Sequence, residues 1–182
     1  MKSNYALLVI DMQLCGFDGK ITPPIEDGDQ LVEKVAKLIA LCRLNKIPII
    51  YIQHCGSSGL PYAKEMHGWE IHPAVFPQKG DSIVFKRNSS GFEETDLRQH
   101  LIKLGVNSVI TCGIQSEFCV TNTSMSALGF GYKVFVAADV HGTVSSDEWK
   151  ADEIVGRQNS FLEQHQASVI ALNELREVLN LS

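Results

Sequence analysis

The sequence predicts an α/β protein, a three-layer α/β/α sandwich around a six-stranded, mostly parallel sheet. Two observations carry this. Six apolar runs are short and almost continuous, as strands buried on both faces must be. Between most of them lie segments with apolar residues at helical spacing, the alternation that crossover connections require. At 182 residues, with 45% hydrophobic and 20% charged residues, the chain can bury one substantial core. Residues 1–182 therefore read as a single domain.

The first apolar run covers residues 5–10. A stripe at Leu31, Val32, Val35, Leu38, Ile39 and Cys42 follows and predicts a helix, with Asp29 as its N-cap. Runs at 47–52 and 82–85 supply two more strands. The stretch between them, 54–80, holds Gly56, Gly59, Gly68, Pro61, Pro73 and Pro77 and reads as a loop. A connection this long in a compact domain is usually a lid or a subunit contact. Thr95 is placed to cap a helix carrying Leu97, Leu101, Ile102 and Leu104. A run at 107–112 leads through Gly113 to a helix with Val120, Thr123, Ala127 and Leu128 at helical spacing. After a run at 132–136, Ser145 or Ser146 opens a helix whose apolar face includes Ala151, Ile154, Val155, Phe161 and Leu162. The run at 168–171 completes the six.

Composition removes several function classes. Sixteen basic residues against 21 acidic ones give a net charge of −5, which argues against nucleic acid as a partner. No basic run suggests a membrane surface, and no apolar stretch approaches a transmembrane length. The N-terminal apolar stretch is too short for a signal peptide. Cys15, Cys42, Cys55, Cys112 and Cys119 are odd in number and form no C-x-x-C pair. Free thiols in a reducing compartment are expected, hence a cytoplasmic location. No G-x-G-x-x-G follows a strand and no G-x-S-x-G occurs, so neither a dinucleotide cradle nor a serine nucleophile elbow is present.

Ligands of open α/β sheets bind beyond the carboxyl ends of the strands. Asp11 follows the first run, Lys86 the third, and Cys119 the fourth after a short turn. Each has an ordinary explanation when taken alone. Asp11 could be a solvated strand end, Lys86 half of an exposed pair with Arg87, and Cys119 a buried helix cysteine. Together they bring a carboxylate, an ammonium and a thiol to one edge of the sheet. A thiol at a helix start also meets the positive end of the macrodipole, which predicts a lowered pKa.

These residues sit in longer motifs: Ala6-Leu-Leu-Val-Ile-Asp11-Met-Gln13, Phe85-Lys86, Ser90-Gly-Phe92 with Thr95-Asp-Leu97, and Cys112-Gly-Ile-Gln-Ser-Glu-Phe-Cys119-Val. Ala127-Leu-Gly-Phe-Gly-Tyr132-Lys-Val134 then leads to Ala138-Asp139 and Thr143. In this order and spacing the chain resembles the isochorismatase-like cysteine hydrolases, which include nicotinamidases, N-carbamoylsarcosine amidohydrolases and ureidoacrylate amidohydrolases. The resemblance implies strand order 3-2-1-4-5-6 and a catalytic triad of Asp11, Lys86 and Cys119. It also implies an oxyanion hole from the backbone N–H groups of Gln115 and Cys119, and a non-proline cis peptide at Ile114–Gln115. In that order Lys86 starts two strands, about 10 Å, from Asp11, so its side chain must reach inward.

By the same resemblance Gly16, Phe17, Phe92 and Phe118 are candidate pocket walls, although Phe92 could equally be a core anchor. His72 is either a substrate or subunit contact or a structural hydrogen bond. Nicotinamidases carry an Asp-x-His metal site after the second strand, whereas Ile52-Gln53-His54 lacks the carboxylate, so neither a metal nor any other cofactor is expected. The implied partner is a small amide, carbamoyl or ureido substrate. Relatives usually assemble as homo-oligomers, dimers or tetramers, with the long loop helping to close neighbouring sites. Two alternatives stay open: a non-catalytic oligomeric binding scaffold on the same fold, and an isochorismatase-type hydrolase.

Overall fold

The computed structural model describes residues 4–20 and 22–179. Its centre is a six-stranded sheet in the order β3-β2-β1-β4-β5-β6. The strands are β1 (Tyr5–Ile10), β2 (Ile49–His54), β3 (Ser82–Lys86), β4 (Ser108–Ile114), β5 (Lys133–Gly142) and β6 (Ser168–Ile170). Every adjacent pair is parallel. The order expected from resemblance is therefore present, and "mostly parallel" becomes wholly parallel.

Alternation along β1 divides the core into two layers. Leu7 and Val9 face one layer with the stripe of α1 (Gly28–Leu44), joined by Ile49 and Tyr51 of β2. Ala6, Leu8 and Ile10 face the other, with Leu97 and Leu101 of α2 (Leu97–Lys103) and Ala127 of α3 (Thr121–Gly129). Each buried Leu, Ile or Val among them stabilises the fold by about 1.5–3 kcal/mol. Buried apolar residues on both faces of one strand are what made the runs nearly continuous.

Several boundaries move from their expected places. Asp27, in the left-handed region at φ 50°, is the N-cap of α1, and Asp29 lies inside the first turn. Asp96 precedes α2, although the Thr95 hydroxyl still accepts the Leu97 N–H at 3.3 Å. The helix expected from Ser145 or Ser146 begins later, as α4 (Ala151–Gln164). Ser145 Oγ nevertheless accepts the Ala151 N–H, while Ser146 closes the turn before it through the N–H groups of Glu148 and Trp149. β5 runs on to Gly142 past a register shift opposite Thr111 and Gly113. A further helix, α5 (Leu172–Val178), starts where Asp139 Oδ1 accepts the Leu172 N–H.

The long loop after β2 contains short 3-10 turns at His67–Trp69 and Pro73–Val75 and folds back over the carboxyl edge of the sheet. Gln13, fully buried, holds it there. Its Nε2 donates to the carbonyls of His54 and Trp69, and its Oε1 accepts the His54 N–H. Gln53 donates to the same Trp69 carbonyl. Gly68 lies so close to Cys15 that a Cβ there would meet the Cys15 Cβ at 2.6 Å. Cys15 is consequently sealed in the interior, and Cys55 accepts the Trp69 indole N–H at 3.5 Å.

Candidate functional site

Asp11 follows the last residue of β1 in the left-handed region at φ 50°, an unusual conformation for a residue with a side chain. Its N–H donates to Ile52 O, which fixes the turn against β2. The neighbouring β4 leaves room for this only because it carries Gly113. At φ +116°, a Cβ on Gly113 would stand 2.0 Å from the Ile10 carbonyl oxygen.

Lys86 ends the edge strand β3, in register with His54. Its side chain is fully buried and crosses beneath the end of β2 to place Nζ 2.7 Å from Asp11 Oδ2. The reach demanded by the strand order is thus made by the side chain itself. The ammonium also donates to Cys119 Sγ at 3.1 Å and Asn88 O at 3.2 Å, and it lies 3.2 Å from His54 Nδ1. Burial alone would lower its pKa, but Asp11 and the Cys119 sulfur more than offset that and hold it above the ordinary lysine value. Lys86 is a charged ammonium.

Cys119 sits in a turn of π-helix, Ser116–Val120, that leads into α3. The preceding peptide, Ile114–Gln115, is cis. The Gln115 carbonyl accepts the N–H groups of Phe118 and Val120, passing over that of Cys119 between them. A buried relay fixes the turn from below. Ser116 Oγ is 2.8 Å from His141 Nδ1, His141 Nε2 is 2.9 Å from Asn159 Oδ1, and Asn159 Nδ2 donates to Ala138 O. This assigns the hydrogens along the relay: Ser116 donates to His141, and His141 to Asn159. Burial keeps His141 neutral by lowering its pKa.

The expected lowering of the Cys119 pKa is not found. Burial, and then the Asp11 charge, push the thiol up to about 12 against the opposing pull of Lys86. The reason is that Lys86 is already paired with Asp11, so the sulfur meets a compensated pair rather than a free cation. Asp11 Oδ1, meanwhile, is buried with no hydrogen-bond partner. The cluster thus holds a neutral thiol and a vacant carboxylate oxygen able to take its proton.

The remaining sequence candidates separate. Phe118 is exposed on the turn beside Cys119. Phe17 stands edge-on to His72, with ring centroids 5.5 Å apart. His72 Nδ1 accepts the Ala74 N–H and caps the second 3-10 turn, a structural hydrogen bond. Phe92 packs on Phe130 and Tyr132 in the core, the place of a core anchor that the sequence left open for it. Gly16 packs against Ile114 in the interior. His141 lies buried below the turn.

Two residues near the cluster were not among the sequence candidates for the site. Tyr62, from the long loop, packs edge-on against His54 at 5.1 Å, and its pKa is raised chiefly by burial, with the Asp11 charge adding to it. Ser89 Oγ lies 3.9 Å from Cys119 Sγ and accepts the Asn122 amide. No short-range sequence signal marks either. Among the described residues no three of His, Cys, Asp and Glu gather as a metal site, and no helix is long and apolar enough to cross a membrane.

A carboxylate, an ammonium and a thiol buried together at the carboxyl edge of a parallel sheet in this order define an α/β protein organised around a cysteine. Residues 5–173 match the isochorismatase domain, and the chain belongs to the isochorismatase-like hydrolase family. It is 30% identical over 171 residues to the uncharacterized isochorismatase family protein YddQ of Bacillus subtilis (strain 168), spanning 92% of this chain and 91% of that one. Over 138 residues it is 32% identical to a streptothricin hydrolase of Streptomyces noursei, covering 76% of this chain and 49% of that protein. The chain thus spans about half the length of the streptothricin hydrolases it matches. Nicotinamidase 3 of Arabidopsis thaliana is 26% identical over 163 residues, 78% of this chain and 75% of the relative. An isochorismatase-like hydrolase from Alkaliphilus metalliredigens shares the fold, with a TM-score of 0.87 and 24% identity over 97% of this chain and 99% of that one.

Proposed function

We propose that the chain is a cysteine amidohydrolase that cleaves a small amide, carbamoyl or ureido compound through a thioester. One observation carries this: Asp11 Oδ1 is buried and unpartnered in the cluster with the Cys119 thiol, while Oδ2 is held by Lys86. A carboxylate so placed is a general base waiting for a proton.

Cys119 Sγ adds to the amide carbonyl carbon as its proton passes to Asp11 Oδ1. The carbonyl π electrons move to oxygen, and the N–H groups of Gln115 and Cys119 bind that oxyanion. Asp11 returns the proton to the nitrogen, the C–N bond breaks, and ammonia or an amine leaves a thioester behind. Water then adds to the thioester, giving a proton to Asp11. Collapse expels the sulfur, which recovers the proton, and a carboxylic or carbamic acid departs. Lys86 keeps its charge throughout and holds Asp11 in place. Kinship to a nicotinamidase, whose name denotes amide hydrolysis, supports the same chemistry.

The test is ammonia release from nicotinamide, N-carbamoyl amino acids, ureidoacrylate-like compounds and biuret, comparing wild type with Cys119→Ala. Turnover by the wild type that vanishes in the variant supports the proposal. Turnover that survives in Cys119→Ala rejects it.

A further inference from the structure

The Ser89 hydroxyl takes no part in the steps above, yet it lies against the nucleophile. The segment after β3 docks on α3 at three points. The Gly91 N–H donates to Thr123 Oγ1 at 2.9 Å, the Ser90 and Ser126 hydroxyls meet at 2.8 Å, and Asn122 Nδ2 donates to Ser89 Oγ at 2.8 Å. A Cβ on Gly91 would stand 2.7 Å from Ile52 Cδ1, so the segment lies tight against the sheet as well. Ser89 is thus seated by its neighbours, and Asn122 decides which way its hydroxyl turns. Because the oxygen accepts the amide hydrogen, its own hydrogen is left to point elsewhere. Its acceptor among the described residues is Cys119 Sγ, 3.9 Å away. Asn122 is exposed, three residues beyond Cys119, and its side chain has no other hydrogen-bond partner among the described residues.

We propose that Ser89 is a further catalytic residue, a second hydrogen-bond donor to the Cys119 sulfur, and that Asn122 is the positioning residue that aims it. The proposal rests on Cys119 being the nucleophile. Negative charge gathers on the sulfur twice in the cycle, when its proton passes to Asp11 and when the collapsing intermediate expels it. Lys86 meets that charge from 3.1 Å but is bound to Asp11 at the same time. Ser89 is tied to no carboxylate, so its O–H dipole is available to the sulfur alone. A separation of 3.9 Å is a slack contact for a neutral thiol. Charge on the acceptor shortens and strengthens such a bond. The hydroxyl therefore favours the charged sulfur over the resting thiol, the kind of difference that speeds a reaction. Ser89 keeps its own proton throughout.

Alkylation of Cys119 by iodoacetamide, followed by mass spectrometry from neutral to mildly alkaline pH, reads the thiolate and needs no substrate. Ser89→Ala is expected to slow labelling about twofold to fourfold at each pH below the thiol pKa, the loss of thiolate being partly offset by its greater nucleophilicity. Ser89→Thr keeps a hydroxyl and recovers most of the rate. Asn122→Ala slows labelling in the wild-type background but not in Ser89→Ala, because the amide acts only through the hydroxyl. Melting curves confirm folding, and Asn122, being exposed, carries the test even where Ser89→Ala unfolds. An unchanged rate in folded Ser89→Ala overturns the proposal. So does faster labelling in Asn122→Ala, which means that Ser89 had been giving its hydrogen to the amide. If amide turnover is nonetheless lost in Cys119→Ala, either result rejects Ser89 and leaves the nucleophile standing. Turnover that survives in Cys119→Ala removes the nucleophile itself and the role of Ser89 with it.

Discussion

Cys119 keeps its proton because burial and Asp11 outweigh Lys86, and that balance can be reversed with one atom. Asp11→Asn removes the negative charge and leaves the ammonium alone at 3.1 Å from the sulfur. The thiol pKa is then expected to fall from about 12, read as thiolate absorbance against pH with Cys119→Ala as the blank. With Asp11 as the proposed base, turnover should drop roughly 100- to 10,000-fold in the same variant. A more ionised thiol that works less well would separate proton transfer from nucleophile strength. Lys86→Met acts the other way. It strands a buried carboxylate and is expected to cost about 3–5 kcal/mol, with Lys86→Met/Asp11→Asn recovering part of the loss in urea unfolding. Folding raises the Lys86 pKa above its ordinary 10.5, the pull of Asp11 and the sulfur exceeding the effect of burial. Its contribution is therefore complete below that pH and is lost as pH climbs through the folded value. The stability gap between wild type and Lys86→Met should narrow accordingly in strong alkali.

Strand ends are where the backbone itself builds the site. Gly113→Ala would force a Cβ against the Ile10 carbonyl one residue before Asp11. We expect a loss of at least about 2–4 kcal/mol in denaturant unfolding, together with loss of turnover in whatever protein still folds. Gln13→Ala unties the long loop from β2. It should cost about 1–3 kcal/mol through unpaired buried groups and speed protease cleavage between residues 55 and 81. These elements also show what the sequence could disclose. Strands were legible because both their faces are buried, Asp11 and Lys86 because each follows such a run directly, and Cys119 because it opens a helix a short turn after one. The position of Lys86 over the site was not legible, since nothing local says that an edge-strand side chain crosses beneath β2. The relay of Ser116, His141 and Asn159 was equally hidden, its successive members lying 25 and 18 residues apart. The thiol pKa was misjudged because a helix dipole is a local signal, whereas burial and the Asp11 charge are set by tertiary packing.

The molecule as a whole places its chemistry on the carboxyl edge of the sheet and leaves the edge strand β3 uncovered on one side. Ile83 and Phe85 are 40% and 51% exposed there. An apolar edge strand is a surface that natural proteins usually cover or blunt. Self-association as a dimer or tetramer is the expected outcome in sedimentation, and a single species at 20.1 kDa would reject it. The ammonium at the centre of the site has a property that follows from counting hydrogens. Lys86 brings three, and four acceptors surround it: Asp11, Cys119, His54 and Asn88. One acceptor is therefore short at every instant, and the arrangement can be redistributed by rotation about a single bond with no heavy atom moving. Such a cluster has vacancy for one further hydrogen. A hydrolase must at some point admit water to a site shaped to exclude it, and here the incoming molecule fills a deficit already present.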